Sequence, residues 1–385
     1  MIRTDSTPCL FTPFELRDFR SRNRIVISPM QQYMAQADGR ANQWHLVHLA
    51  KLAVGGAGIV FTEAPAIEAR GRATYSDLGI WDAAQVEALK PVVEAIARQG
   101  AAPGAQLFHG GRKASVQRPW EGYQSLSTAD EVRGDVPWPT VAPSAIPASP
   151  GWQRPEPLSR DEIARIVDRY GRAARAAAQA GFRALNIHAA HGYLIHTFLS
   201  PLSNVRDDDY GGSFEGRMRF APEVAEAVRA EWPSGLPVFY RLSCIDDLPG
   251  GWSLDDTVAL ARELGRRGID VIDCSSRGLA ERGTLTPGRA QGFQVPFAET
   301  VRRETGLRTM AVGLITDPTF ADSVVTEGRA DLVAIGREAL FNPHWPLHAA
   351  LALGHDPDFR TWPPSYGWWL KRRVGALPGG RAAGR

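Results

Sequence analysis

Cysteine is scarce in this chain: Cys9, Cys244 and Cys274 are scattered through 385 residues, odd in number and without a CxxC pair. That spacing excludes a disulfide framework and supplies no zinc or iron–sulfur ligand set. No apolar run approaches the roughly 18 residues that a membrane span needs. The opening MIRTDSTPCLFTPF lacks a basic segment followed by a long apolar stretch, so no signal peptide is read there. Charge of one sign is not in excess either. Lys and Arg number 44 against 42 Asp and Glu, a formal net charge of +2, which gives no electrostatic footprint for nucleic acid. A cytoplasmic enzyme with a small-molecule substrate is the expectation these absences leave. What is present, 44% hydrophobic and 22% charged residues, suffices for one large core.

A unit then repeats: a helix-like segment, a glycine, a short apolar run. It occurs at Gly56 before GIVFTEA, Gly100 before APGAQLFHG, Gly181 before FRALNIHAA and Gly235 before LPVFYRLS. It recurs at Gly268 before IDVIDCSS, Gly306 before LRTMAVG and Gly328 before ADLVAIGR. A glycine after a helix can take the left-handed conformation that ends it. The runs are dense in Val, Ile, Leu and Ala without clean alternation, as parallel strands covered on both faces should be. With NRIVISPM (23–30) they make eight, which predicts a single-domain α/β fold, a (β/α)8 TIM barrel, over residues 10–375. Helices are expected at 85–99, 159–180 and 253–266, the second opened by a capping box of Ser159 and Glu162. A long loop over 116–157, rich in Pro, Trp, Gly and Ser, falls between the third strand and its helix, at the face where barrels build active sites. Residues 1–9 and 376–385 read as disordered tails.

The strand C-terminal ends collect polar residues. They are Ser28-Pro29-Met30, Glu63-Ala64, Gln106 to His109, His188 to His191, Arg241, Ser275-Ser276, Gly313 and Gly336-Arg337. Glycines ending the last two runs, with Arg337, suit an anion, since phosphate is held after strands seven and eight in this architecture; they also suit plain tight turns. In HAAHGYL (188–194), imidazole N–H groups could hold a developing oxyanion and the phenol of Tyr193 could deliver a proton. The same histidines could be packed core residues or a metal pair, although no third protein ligand is evident. Arg241, inside the apolar strand PVFYRLS, needs an anionic partner, either a buried carboxylate or an anionic ligand.

At these residues the chain resembles the old yellow enzyme family, in its thermophilic-like branch that includes the xenobiotic reductases. The motifs are NRIVISPM, DLGIW, QLFHGGRKAS, HAAHGYLIHTFLSPLSN, YGGS, VGLIT and ADLVAIGRE, and the likeness spans nearly the whole chain from LFTPFELRD to PPSYGWW. The resemblance implies FMN at the barrel mouth, with NADPH or NADH as hydride donor and no metal. Ser28, Pro29, Met30, Gln31 and Ala64 would line the flavin, Gln106 would bond its pyrimidine edge, and Arg241 would stabilise its reduced anion. Gly313, Gly336 and Arg337 would hold the phosphate. His188 and His191 would bind a substrate oxygen, Tyr193 would donate a proton, and Tyr33 and Lys113 would shape the substrate pocket. Two positions depart from the pattern. Gln31 stands where the branch usually has a cysteine, and Trp368 stands where an arginine often reaches the neighbouring subunit's site. Ordinary interface burial also accounts for Trp368.

The activity implied is reduction of an activated C=C bond in an α,β-unsaturated carbonyl or nitro compound, in a homodimer or homotetramer. A flavin enzyme with a dedicated biosynthetic or catabolic substrate is the alternative that Gln31 leaves open. A metal-dependent or non-catalytic barrel is the third reading, because barrels host many chemistries.

Overall fold

The computed structural model describes residues 7–280 and 289–376. Of the two expected tails, 1–6 and 377–385 lie outside those residues. Cys9 opens a short 3-10 helix, Cys9–Phe11.

Eight parallel strands close into a barrel in sequence order. They are β1 (Ile25–Ile27), β2 (Ile59–Phe61), β3 (Ala102–Leu107), β4 (Ala184–Ala189), β5 (Val238–Ser243), β6 (Val271–Ser275), β7 (Arg308–Ala311) and β8 (Leu332–Ile335). β8 pairs back onto β1, with Ala334 opposite Val26. The outer ring is α1 (Gln43–Val54), α2 (Ala83–Arg98), α3 (Arg160–Ala180), α4 (Phe220–Glu231), α5 (Leu254–Arg266), α6 (Val295–Thr305), α7 (Pro318–Thr326) and α8 (Trp345–Ala352). A last helix, α9 (Pro364–Ala376), follows it. Helix α3 begins as its sequence reads. Ser159 Oγ accepts from the Glu162 N–H at 3.3 Å, and Glu162 Oε2 accepts from the Ser159 N–H at 3.0 Å.

Glycines 56, 100, 181, 268, 306 and 328 do take positive φ. Gly181, at φ 93°, ends α3 by donating its N–H to Ala177 and Ala178 carbonyls. Gly235 departs from that expectation. It is not among the positive-φ glycines, and a Cβ there would stand 2.2 Å from Asp18 Oδ2. Its role is close approach, because an antiparallel hairpin, Phe14–Leu16 with Phe19–Ser21, presses against the N-terminal end of the barrel. The sequence reading does not anticipate this hairpin. Arg17 turns it at φ 54°, and Phe14 and Phe19 bury their rings beneath the strands. Arg17 Nε reaches Asp270 Oδ1 at 2.7 Å, just ahead of β6.

Strand side chains alternate sides, so residues two apart stack inside the barrel. Phe61 and Phe239 meet edge-on at 5.5 Å, and Gly104 gives them room, since a Cβ there would fall 2.4 Å from the Phe61 ring. Above them, Asn186 Nδ2 donates to Asp273 Oδ2 at 2.9 Å. Two positions beyond Phe239, Asn186, Asp273 and Gly104 come Arg241, His188, Ser275 and Gln106. The interior therefore changes from apolar to polar towards the strand C-terminal ends, and the long β3–α3 connection lies over that end.

Candidate active site

Two cavities open at the C-terminal face. The larger, about 980 Å³, runs from Ser28 and Arg241 to Gly313, Gly336 and Arg337 beyond β7 and β8. The smaller, about 190 Å³, is enclosed by Gln31, Tyr33, Ala64, Gln106, Phe108 and His188. Pro29, His191, Tyr193 and Arg241 wall both. Lys113 and Met30 line the larger lobe. The barrel thus brings together every residue expected at the flavin or the substrate except Trp368; of the other polar strand ends, Glu63 and His109 pair instead with His45 and Glu68. Trp368 sits on α9, 49% exposed, with its ring against Trp369 and the Arg372 guanidinium over it.

The walls hold hydrogen-bond donors that the protein does not satisfy. Gln31 Nε2, Gln106 Nε2 and Arg241 Nε are buried without a partner among the described residues. Gln31 and Arg241 are fixed from behind. Gln31 Oε1 accepts the Ala64 N–H at 2.9 Å, which settles which end of the amide faces the cavity. The loop that carries it is pinned by Glu63, whose Oε2 accepts the Gln32 N–H at 2.9 Å and whose Oε1 stands 2.9 Å from His45 Nε2. Arg241 donates to Ser28 Oγ at 2.9 Å and lies 3.6 Å from Asp273 Oδ2. The buried carboxylate weighed for Arg241 therefore exists, yet it is shared with Asn186 and leaves the Nε donor over. Burial pushes the Asp273 carboxyl upward, against the pull of Arg241 and Asn186. A buried donor left unpaired costs about 1–3 kcal/mol, so three on one wall favour a ligand rich in acceptors.

His191 is the most constrained residue of the site. It is left-handed at φ 60°, which a β-carbon disfavours. Three contacts hold it there. Its N–H donates to Ser243 Oγ at 2.9 Å, its carbonyl accepts from Lys113 Nζ at 2.9 Å, and its Nε2 lies 2.7 Å from Ser275 Oγ. Lys113, expected to shape the substrate pocket, also bonds the Gly278 carbonyl and so anchors this loop. His188 Nε2 faces His191 Nδ1 at 3.3 Å. Desolvation first, and the Arg241 charge next, hold both imidazoles well below their ordinary pKa, so both are neutral at pH 7. No group of three or more His, Cys, Asp or Glu with metal-binding geometry occurs among the described residues.

Tyr193 follows at the head of the short helix Leu194–Leu199. Its ring stands edge-on to Phe108 at 4.6 Å and to His188 at 5.0 Å. Burial, with Tyr123 and Tyr33 adding to it, keeps its hydroxyl pKa well above that of a free phenol. Tyr123 is a site residue the sequence reading misses. It comes from a small hairpin in the long loop, where Val116 bridges Ser125, and its phenol is close enough to that of Tyr193 to help raise the Tyr193 pKa. Its surroundings in sequence are irregular, so no periodicity marks it. Arg277, 2.8 Å from Asp247, and Gln294 are further cavity residues that carry no motif.

Residues 9–354 match the profile of the NADH:flavin oxidoreductase / NADH oxidase family. An NADPH dehydrogenase of Geobacillus sp. (strain WCH70) is 42% identical over 349 residues, which is 90% of this chain and 94% of that protein. Among solved structures, morphinone reductase aligns with a TM-score of 0.73 and 28% identity over 91% of both chains. A complex of 2-naphthoyl-CoA reductase aligns with a TM-score of 0.80 over 91% of this chain. This chain spans 53% of that protein, and at 23% identity the likeness bears on the fold alone.

Proposed function

This chain belongs to the NADH:flavin oxidoreductase / NADH oxidase family, the old yellow enzymes, and is an NAD(P)H-dependent FMN oxidoreductase; from that premise we propose that it reduces the activated C=C bond of α,β-unsaturated carbonyl or nitro compounds. The observation that carries the reading is one wall of the small cavity, where two neutral imidazoles and a protonated phenol converge beside the flavin donors.

The residues present fit FMN. Gln31 Nε2, Gln106 Nε2 and Arg241 Nε, unpaired within the protein, match the acceptor-rich edge of an isoalloxazine. Ser28, Pro29, Met30 and Ala64 would line the ring, and Gly313, Gly336 and Arg337, at the far end of the larger cavity, would take the phosphate. When bound, FMN would supply the hydride-transfer chemistry that links NADPH or NADH to the alkene. The protein supplies the rest. His188 and His191 polarise the substrate oxygen, and their bonds strengthen as negative charge grows there, which is where rate is gained. Tyr193 gives its proton to the α-carbon. Tyr33, beside Trp120 at 5.9 Å, closes the outer side of the pocket.

Trp368 would act across a subunit boundary. With Phe341 87% and Trp369 66% exposed, the C-terminal surface is apolar enough for a symmetric dimer, repeated in a tetramer. No helix among the described residues is long and apolar enough to cross a membrane. The test is anaerobic turnover with cyclohexenone. One cyclohexanone formed per NADPH consumed supports the reading, and NADPH consumption without saturated product removes it.

A further inference from the structure

We propose that Ser275 is a positioning residue that sets the tautomer of His191, turning its hydroxyl from acceptor to donor when an oxygen ligand enters between the two histidines. This rests on the reading that His188 and His191 bind the substrate oxygen.

The hydrogen-bond directions can be followed atom by atom. His188 Nδ1 accepts the Ala190 N–H at 3.2 Å, so the one proton of this neutral ring is on Nε2. That Nε2–H faces His191 Nδ1 at 3.3 Å, which must then be the acceptor. The proton of His191 is consequently on Nε2 and is donated to Ser275 Oγ at 2.7 Å. In this arrangement the pair is satisfied internally, and an arriving oxygen would find one N–H between two rings.

Two N–H donors converge on a ligand oxygen only if His191 carries its proton on Nδ1. Its Nε2 then becomes a buried lone pair that needs a donor. Ser275, 3% exposed and already in hydrogen-bond contact, is placed to provide one. A hydroxyl can do this because it both accepts and donates and its hydrogen rotates freely. The balance is simple: the imidazole keeps one proton, which moves from Nε2 to Nδ1 by exchange with water in the cavity, and the serine keeps its own. Turning the His191 ring by a half-turn instead would put carbon atoms where Nδ1 and Nε2 now meet His188 and Ser275, losing both contacts.

The test uses FMN-loaded enzyme labelled with 15N-histidine, titrated with 4-cyanophenol at mildly alkaline pH, where the probe is an anion. His191 Nδ1 is expected to move from the unprotonated to the protonated range as the probe binds. Ser275→Ala should abolish that change and weaken binding by about tenfold or more, the loss of one hydrogen bond in a charged network. Ser275→Thr, which keeps the hydroxyl, should restore both. A His191 Nδ1 that is protonated before the probe arrives would overturn the inference, as would a Ser275→Ala variant that binds and shifts like the parent. If His191→Ala abolishes probe binding while Ser275→Ala leaves it intact, the inference about Ser275 alone fails. If His188→Ala and His191→Ala both leave probe binding intact, the reading it rests on fails with it.

Discussion

The two ends of the barrel are made by the same eight strands, yet they treat polar groups in opposite ways. At the N-terminal end the charges are closed on one another. Asp270 takes Arg17 at 2.7 Å and the Val238 N–H at 2.9 Å. Asp331 takes Arg302 at 3.0 Å, Arg308 at 3.1 Å and the Thr309 N–H at 3.0 Å. The hairpin Phe14–Ser21 seals that end. At the C-terminal end Gln31, Gln106 and Arg241 keep donors in reserve, and His191 is held in a strained backbone. An end whose charges are paired contributes stability, and an end that keeps preorganised donors unpaired contributes binding and catalysis. Changes at one end should therefore move different observables from changes at the other.

The largest effect is expected at the mouth. Tyr193→Phe should lower turnover of a weakly activated enone by roughly a hundred- to ten-thousandfold while leaving reduction by NADPH unchanged, as stopped-flow traces of the two half-reactions would show. The raised pKa of Tyr193 adds a sign: its proton stays on as pH rises past the ordinary phenol value, so the oxidative half-reaction should not fall off near pH 10. Arg241→Met comes next. It leaves Asp273 without its cation and should cost about 3 kcal/mol, the low end for a broken buried pair because the Asp273 carboxyl can take up a proton. Unlike changes at the other end, it should also cut the FMN retained on purification. Retention unchanged would break the contrast.

At the sealed end, Gly235→Ala forces a Cβ into Asp18 and should cost about 1–3 kcal/mol in denaturant unfolding, with FMN content and turnover per bound flavin unaltered. The smallest effect near neutrality is the acid limb of stability. His188 and His191 have folded pKa values depressed below the unfolded value of about 6.5. Their contribution is therefore complete above about pH 6.5 and is lost as pH falls, because the unfolded chain then binds protons the folded one refuses. His188→Asn should flatten that limb, read as the midpoint of urea unfolding against pH.

The mouth was more legible in the sequence than the floor, for a physical reason. Strand side chains repeat every second residue, so a polar residue in an apolar run, such as Gln106, His188 or Arg241, declares that it points into the barrel near its open end. HAAHGYL and the glycines of β7 and β8 carry their signal in adjacent positions. Hairpin residues 14–21 form too short a pattern to read, and Gly235 was assigned a helix-ending conformation when its cause is contact with Asp18, a residue more than two hundred positions away. Tyr123 and Ser275 illustrate the same limit inside the site. Ser275 was visible as one of the polar strand ends, but its partner, His191 Nε2, is set by a backbone torsion that no spacing reveals. Tyr123 depends on how an irregular loop folds back over Tyr193.

The central claim is that this mouth passes reducing equivalents from a nicotinamide to an alkene, and an anaerobic absorption titration of the FMN-loaded protein tests it most directly. NADPH should bleach the flavin absorbance and cyclohexenone should then restore it, leaving saturated ketone in the same amount. A flavin that bleaches but stays bleached with cyclohexenone and with a nitroalkene would contradict the claim.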